Sequence, residues 1–319
     1  MKKSIFTYIL AILLSGFFIA PAHAETLLIK IALNWFPEVE HGGYYAAKVN
    51  HLYDHIEQEV KLIPGGPDVP LIAQLASGQV PFAVLNADDV LLARAQGIPL
   101  VALVGSIQTS PLCLMVREDS AIKTYDDLKN TKLALSPKGP FTLFLKKKQA
   151  LDGVTIIPYS GNLAPFLVNP NMVSQAYLFS EPVIAKEKGV NTRCLMASET
   201  GFNPYTSILV TTEKVIQEMP DVVEQIAKAT AIGWRMYWEN PLKANDLILG
   251  VNRNMDRKIL AEGALKLKPL IQGDLKSPDL IGSMSMERWK TLYDQLKEVG
   301  LIKKDFDLNN VFNLKFIKL

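Results

Sequence analysis

The residues with the most chemistry to offer sit in Ser180-Glu181-Pro182, where an apolar, β-capable run (173–179) stops and a helical pattern (183–188) begins at once. A strand that ends where a helix starts puts Ser180 at the N-cap and Pro182 in the first turn. Glu181 then lies among free backbone N–H groups at a strand's carboxyl end, and ligands of open α/β sheets bind at such ends. A carboxylate there can accept hydrogen bonds from a ligand, or simply stabilise the helix dipole. Acid–base catalysis is not in prospect. Beyond residue 24 the histidines are His41, His51 and His55, all within fifteen residues, and no Ser-His-Asp arrangement can be drawn from them. His51 and His55 could share a metal across one helical turn. Their segment is short, carries the helix-ending Asn50 in a left-handed conformation, and leads straight into a strand, so no metal is assigned.

The elements that must hold these groups alternate along the chain. A buried first strand (27–33) leads into a loop from Asn34 to Tyr45 whose diglycine opens a short helix, so Trp35 and His41 stand at that strand's carboxyl edge. Asn34, Pro37 and the diglycine suit a loop that approaches a ligand. Strand 60–63, a helix capped by Asp68 and ending at Gly78, strand 81–85, a helix over 88–96 closed by Gly97, and strand 100–104 follow. Such alternation predicts a parallel sheet covered on both faces. Asn86 and Ser110, just beyond strand ends, would face the same crevice as Trp35, with Asp88 read as a helix cap.

A crossing strand (111–116) opens a second set of βα units: strands 132–135, 155–157 and 173–179, then 193–196. Ser136-Pro137-Lys138-Gly139 could hold an anionic group at a helix start, although it lacks the spacing of a nucleotide-binding loop. Gly201-Phe202-Asn203-Pro204-Tyr205 is a shaped loop before strand 207–212, well placed to offer an aromatic for stacking. From Pro220 onward the pattern is helical, and the stripes Val223, Ile226, Ala227, Tyr237, Trp238 and Trp289, Tyr293, Leu296 read as core.

The 319 residues, 34 basic and 32 acidic, predict a globular protein of about two domains. Residues 1–24 read as a cleaved secretory signal: Lys2-Lys3, an apolar run over 5–20 that is short for a membrane span, and the cleavage pattern Ala22-His23-Ala24. No cysteine follows that run to carry a lipid anchor. Removal of Lys2 and Lys3 leaves equal numbers of basic and acidic residues, so neither nucleic acid nor an anionic membrane is implied as a partner. Cys113 and Cys194 lie in apolar, strand-like contexts and read as two buried thiols, with a disulfide chemically open to an exported chain.

Gln175, Tyr177, Glu181 and Pro182 form the pattern Q-x-Y-x-x-x-E-P. Asn34-Trp35-Phe36-Pro37, His41-Gly42-Gly43-Tyr44-Tyr45, Leu75-Ala76-Ser77-Gly78, Asp126-Asp127-Leu128-Lys129, the 201–205 loop and Gly233-Trp234 with Tyr237 accompany it. This ordered set resembles the solute-binding proteins of bacterial ABC importers that take pyrimidine precursors of thiamine, relatives of the fungal pyrimidine synthases. The resemblance implies an α/β, two-lobed periplasmic-binding-protein fold of type II with its ligand cleft between the lobes. Residues 25–109 and the helical 214–319 would form lobe I, and 110–213 lobe II. A periplasmic monomer without cofactor is implied, delivering a small molecule to a permease and its ATPase.

A heteroaromatic ligand in such a cleft is held by stacking and by a few convergent polar groups. Trp35, Tyr44, Tyr177 and Tyr205 would supply faces; Glu181 would accept from ring amino groups; Asn34, His41, Asn86 and Ser110 could complete the edge. The resemblance carries Trp35 and Glu181 over most directly. It departs from the family at Lys138, where a glycine-rich helix start is usual, and at Asn169-Pro170-Asn171, so riboflavin-like and other heteroaromatics stay open. A sulfonate or taurine binder would want a basic pocket, which these loops do not offer. A pyrimidine synthase would need cofactor chemistry inside the cell and a cysteine-rich motif that this sequence lacks.

Overall fold

The computed structural model describes residues 28–317; the signal sequence lies outside them. In chain order the first part runs β1 (Ile29–Ala32), α1 (Gly42–Val49), β2 (Val60–Ile63), α2 (Leu71–Ala76), β3 (Phe82–Leu85), α3 (Ala87–Ala95) and β4 (Leu100–Val104). The chain then crosses to β5 (Leu112–Arg117), β6 (Lys132–Ala134), α4 (Pro140–Lys148), β7 (Thr155–Ile157), α5 (Ala164–Val168), β8 (Met172–Tyr177), α6 (Glu181–Glu187) and β9 (Thr192–Met196). It returns with β10 (Ile208–Thr212) and closes in helices α7 (Glu213–Glu218), α8 (Pro220–Glu239), α9 (Leu242–Val251), α10 (Arg257–Gln272) and α11 (Met286–Glu298).

Two five-stranded sheets result, ordered β2-β1-β3-β10-β4 and β7-β6-β8-β5-β9. Each is parallel except for the strand that enters directly from a crossing: β10 runs antiparallel to β3 and β4, and β5 antiparallel to β8 and β9. Every residue of β3, β4 and β10 is buried, as expected of strands covered on both faces. This is the two-lobed α/β fold that the resemblance implies; the alternation of elements accounts for the parallel strands, and one antiparallel strand makes each sheet mixed.

The helical tail packs on the first sheet, and α1 meets α8 at very short range. A Cβ on Gly42 would come within 2.2 Å of the Tyr237 ring, and one on Gly43 within 2.2 Å of the Trp234 ring. The diglycine therefore serves helix–helix approach and not a ligand loop. Three local expectations also change. Pro70, not Asp68, precedes α2, and Asp68 takes a left-handed φ of 62°. The α3 N-cap is Asn86, whose N–H donates to Asp89 Oδ2 at 3.0 Å, rather than Asp88. His51, and not Asn50, adopts the left-handed turn after α1.

Both crossings between the sheets are fastened by α11. Arg288 Nη2 donates to Gln108 O at 2.6 Å on one crossing and to Asn203 O at 2.9 Å on the other. Its guanidinium lies 3.8 Å from the centre of the Tyr205 ring. Ser110 N–H donates to Asn203 Oδ1 at 2.8 Å, which joins the crossings to each other.

Cys113 and Cys194 form a disulfide, correcting the expectation of two thiols. Strands β5 and β9 are antiparallel with Cys113 opposite Met196 and Met115 opposite Cys194, so the two cysteines are diagonal neighbours with Cα atoms 5.4 Å apart. That separation lies within bridging range. The bridge spans 81 residues, and its removal from the unfolded-state constraint costs about 2–4 kcal/mol. The double substitution Cys113→Ala, Cys194→Ala is expected to lower unfolding free energy by that order in a urea titration, and reductant is expected to destabilise the parent protein alone.

Candidate functional site

The cleft between the sheets is built from strand ends. β1 delivers Asn34 to Glu38 and then a short 3-10 turn, Val39–His41; β7 delivers Tyr159; β8 delivers Gln175 and Tyr177, and its last turn gives Ser180 and Glu181 at the start of α6. Asn34, Trp35, Glu38, Glu40, Tyr159, Gln175, Ala176, Tyr177, Ser180 and Glu181 enclose a cavity of about 140 Å³. One wall thus belongs to the first sheet and the other to the second. Trp35 reaches across: a Cβ placed on Gly161 would sit 3.4 Å from its ring.

Three carboxyls share this small space. Glu181 Oε2 accepts from the Tyr177 N–H at 2.7 Å, and Tyr159 OH donates to Glu181 Oε1. Glu38 Oε2 accepts from Ser180 Oγ at 2.7 Å, a hydrogen bond from one lobe to the other. Beneath them, His41 Nδ1 accepts from the Glu38 N–H at 3.4 Å, so its proton sits on Nε2, which faces Asn34 Oδ1 at 2.9 Å. Glu40 Oε1 is 3.2 Å from that same nitrogen, yet the single N–H is taken by Asn34, and Glu40 Oε1 has no hydrogen-bond partner among the described residues.

Burial dominates the protonation of the cluster. It pushes the Glu38 carboxyl up to about 8, with Ser180 opposing and Glu181 adding to the rise. Glu40 is raised well above the ordinary carboxylate range by burial and by Glu38, and Glu181 is raised by burial against the lowering effect of its Tyr159 and Tyr177 donors. His41 is pushed down to about 3 by burial and is neutral. The pocket thus combines aromatic faces with carboxyls that lack cations, a surface matched to a flat ligand rich in N–H donors.

A second cavity of about 200 Å³ adjoins the first, sharing Gln175 and Tyr177 with it. Asn86 and Asp88 line it from the first sheet, Ser110, Phe202 and Thr206 from the two crossings, and Ser136, Gly139 and Thr142 are among those facing them from the second sheet. Asn86 Nδ2 donates to Tyr177 OH at 3.5 Å along the boundary.

Of the residues expected from sequence, Asn34, Trp35, Tyr177 and Glu181 line the first cavity, and Asn86, Ser110 and Tyr177 the second. His41, Tyr44 and Tyr205 line neither. His41 is fully buried and holds Asn34; Tyr44 is a core residue whose OH donates to Ser207 O at 2.9 Å; Tyr205 is buried under Arg288 and accepts from Ser285 N–H. Sequence reasoning passed over Glu38, Glu40 and Tyr159. The pair Glu38-Val39-Glu40, directly after Trp35-Phe36-Pro37 at a strand's carboxyl end, was the available signal for the first two. Tyr159 stood at the equivalent end of β7.

Comparison with known proteins bears on this geometry. The model of the family described as "NMT1/THI5 like" matches residues 38–244. The chain belongs to that family. The matched span runs from Glu38 through both crossings and α8 into α9 and includes every cavity-lining residue named above except Asn34 and Trp35. Among characterised relatives of this family member, the riboflavin-binding protein RibY of Chloroflexus aurantiacus is 21% identical, with 93% of this chain and 88% of RibY covered. The formylaminopyrimidine-binding protein of Halalkalibacterium halodurans is 23% identical, with 90% and 92% covered. The aliphatic sulphonate binding protein SsuA of Escherichia coli shares the fold at a TM-score of 0.69 and 14% identity, covering 89% of this chain and 91% of SsuA.

The raised carboxyls give this family member a distinctive pH response. An unfolded glutamate ionises near 4.5, whereas Glu38 in the folded chain keeps its proton up to about 8. Between those values the unfolded chain releases protons that the folded chain retains, so stability present below pH 4.5 is lost as pH rises through 8. Scanning calorimetry of the ligand-free protein is expected to show Tm falling from about pH 5 to about pH 8. Glu38→Gln is expected to flatten that fall.

Proposed function

We propose that this protein is the periplasmic substrate-binding component of an ABC importer, taking a pyrimidine precursor of thiamine or a similar heteroaromatic to a permease and its ATPase. The observation that carries the reading is the wall of the first cavity: Trp35, Tyr159 and Tyr177 beside Glu38, Glu40 and Glu181, with no lysine or arginine. Aromatic faces hold a flat ring, and carboxyls accept from its amino and ring N–H groups. A sulfonate would meet three carboxyls and no cation there, which weighs against the sulfonate reading despite the shared fold. In this reading the lobes that close over the ligand are the two sheets with their helices; the expected second lobe of 110–213 is shortened at its end, because β10 (Ile208–Thr212) pairs with β3 and β4 and belongs to the first. Glu38 and Ser180 would be a latch that closure makes.

A binder is favoured over a pyrimidine synthase because no histidine lines either cavity, and His41 is occupied in positioning Asn34. A flavin-like ligand is the second reading. It is favoured by the adjoining cavity, which extends the space available beyond a single ring.

A thermal-shift screen of residues 25–319 against aminopyrimidines, riboflavin, nucleobases and alkyl sulfonates tests the proposal. Ligand at a hundred times its Kd stabilises by about 2.7 kcal/mol, or roughly 2–4 °C for a chain of this size. Pyrimidines are expected to shift Tm and sulfonates to leave it unchanged; a response to sulfonates alone would overturn the reading. Trp35→Ala and Glu181→Ala are each expected to weaken binding by about 10- to 100-fold, the scale of a stacked ring or a charged hydrogen bond. Circular dichroism of both variants should match the parent.

A further inference from the structure

The second cavity has a polar lining with spare capacity and no cation. Asp88 reaches it from the first turn of α3, and Asp88 Oδ1 is shut off from solvent without a hydrogen-bond partner among the described residues. Ser110 and Ser136 add hydroxyls, Gln175 adds an amide, and Phe141 and Phe202 give apolar sides. The Ser136–Gly139 turn, which the sequence offered as an anion holder, leaves only the Phe141 and Thr142 N–H groups of α4 to serve an anion, in a cavity that also holds the Asp88 carboxyl. Lys138 is exposed and does not line the cavity; the Gly139 N–H is already given to Ser136 O; and Pro140 has no N–H to offer. The wall shared with the first cavity is Gln175 and Tyr177, so a substituent on a ring held by Glu181 would pass those two residues to reach Asp88.

We propose that the second cavity seats an arm of the ligand that donates hydrogen bonds and bears no negative charge, with Asp88 as its acceptor. The bound molecule is therefore an unphosphorylated heterocycle whose substituent ends in hydroxyl or cationic groups. This rests on the heteroaromatic reading of the first cavity and adds the chemistry of the other end of the ligand. Burial and the neighbouring Asp89 push the Asp88 carboxyl up to about 8. A cationic arm favours its ionised form and releases the proton to solvent, whereas a phosphate would meet a carboxyl that loses its proton as pH rises. Discrimination follows from the lining: an arm that donates finds the Asp88 carboxyl as acceptor, and an arm that carries negative charge meets that carboxyl with no lysine or arginine beside it.

Calorimetric titration of residues 25–319 with a matched series tests this. The probes are 4-amino-2,5-dimethylpyrimidine as the ring alone, thiamine as the same ring with a cationic, hydroxyl-bearing arm, and thiamine monophosphate as its phosphorylated form. Thiamine is expected to bind about tenfold or more tightly than the ring alone, and thiamine monophosphate about tenfold or more weakly than thiamine, the scale of one charged hydrogen bond gained or lost. Asp88→Asn is expected to shrink the gap between thiamine and the ring alone to less than about threefold. Equal or tighter binding of thiamine monophosphate would overturn the proposal and return the cavity to the anion-holding turn. A ring that binds without any gain from its arm would remove the arm site while leaving the heteroaromatic reading standing. Lumichrome, riboflavin and flavin mononucleotide apply the same comparison to a larger ring. Silence from both series would remove the heteroaromatic reading, and the arm site with it.

Discussion

Carboxyl groups taken out of water must find donors, give up their charge, or wait for a ligand that supplies what is missing. Glu38, Glu40 and Glu181 face this constraint together, in a cleft without a lysine or arginine in its walls. The protein meets part of the demand from both lobes: Ser180 serves Glu38, while Tyr159 and the Tyr177 N–H serve Glu181. Glu40 is left short by one partner. Burial explains why all three carboxyls hold their protons more strongly than usual, and the remaining deficit makes a donor-rich ring the natural complement. Because the Glu38–Ser180 contact spans the cleft, the cluster is satisfied only with the two sides of the cleft in contact.

Much of the fold was readable because strand and helix alternate with clear punctuation, and glycine and proline mark the turns. Trp35 and Glu181 were readable because each follows the carboxyl end of a predicted strand. Tyr44 and Tyr205 misled for a physical reason: an aromatic in a glycine- or proline-containing loop looks available until the partner helix is known, and here α8 and α11 cover both. The acids Glu38 and Glu40 looked like ordinary loop charges, since sequence does not reveal which loop residues the opposite lobe will enclose. The disulfide was hidden for the same reason. Its two strands meet only through a register that no local pattern records.

The crossings show how a motion of lobes can be kept narrow. Gln108 and Asn203 offer their carbonyls to one guanidinium, and Ser110 ties the two segments together. A half-buried planar cation with its donors committed to both segments limits how they can move relative to each other. The residues that line the cleft near this point, Ser110, Phe202, Pro204 and Thr206, are parts of those same segments. Shape at the second cavity and angle at the crossings are therefore linked.

The sheet order also sets a sequence of events during synthesis. The second sheet draws its five strands from one unbroken stretch and can complete itself as soon as β9 has emerged. The first sheet cannot. β4 pairs on one edge with β10, which follows about a hundred residues later, and on the other with residues 311–313, which follow later still. Until then a strand with all five residues destined for the core keeps an open edge, the arrangement most prone to pairing with the wrong chain. An emerging chain of this protein is thus most in need of a holding chaperone in the interval between β4 and β10, when the second sheet can complete itself and the first cannot.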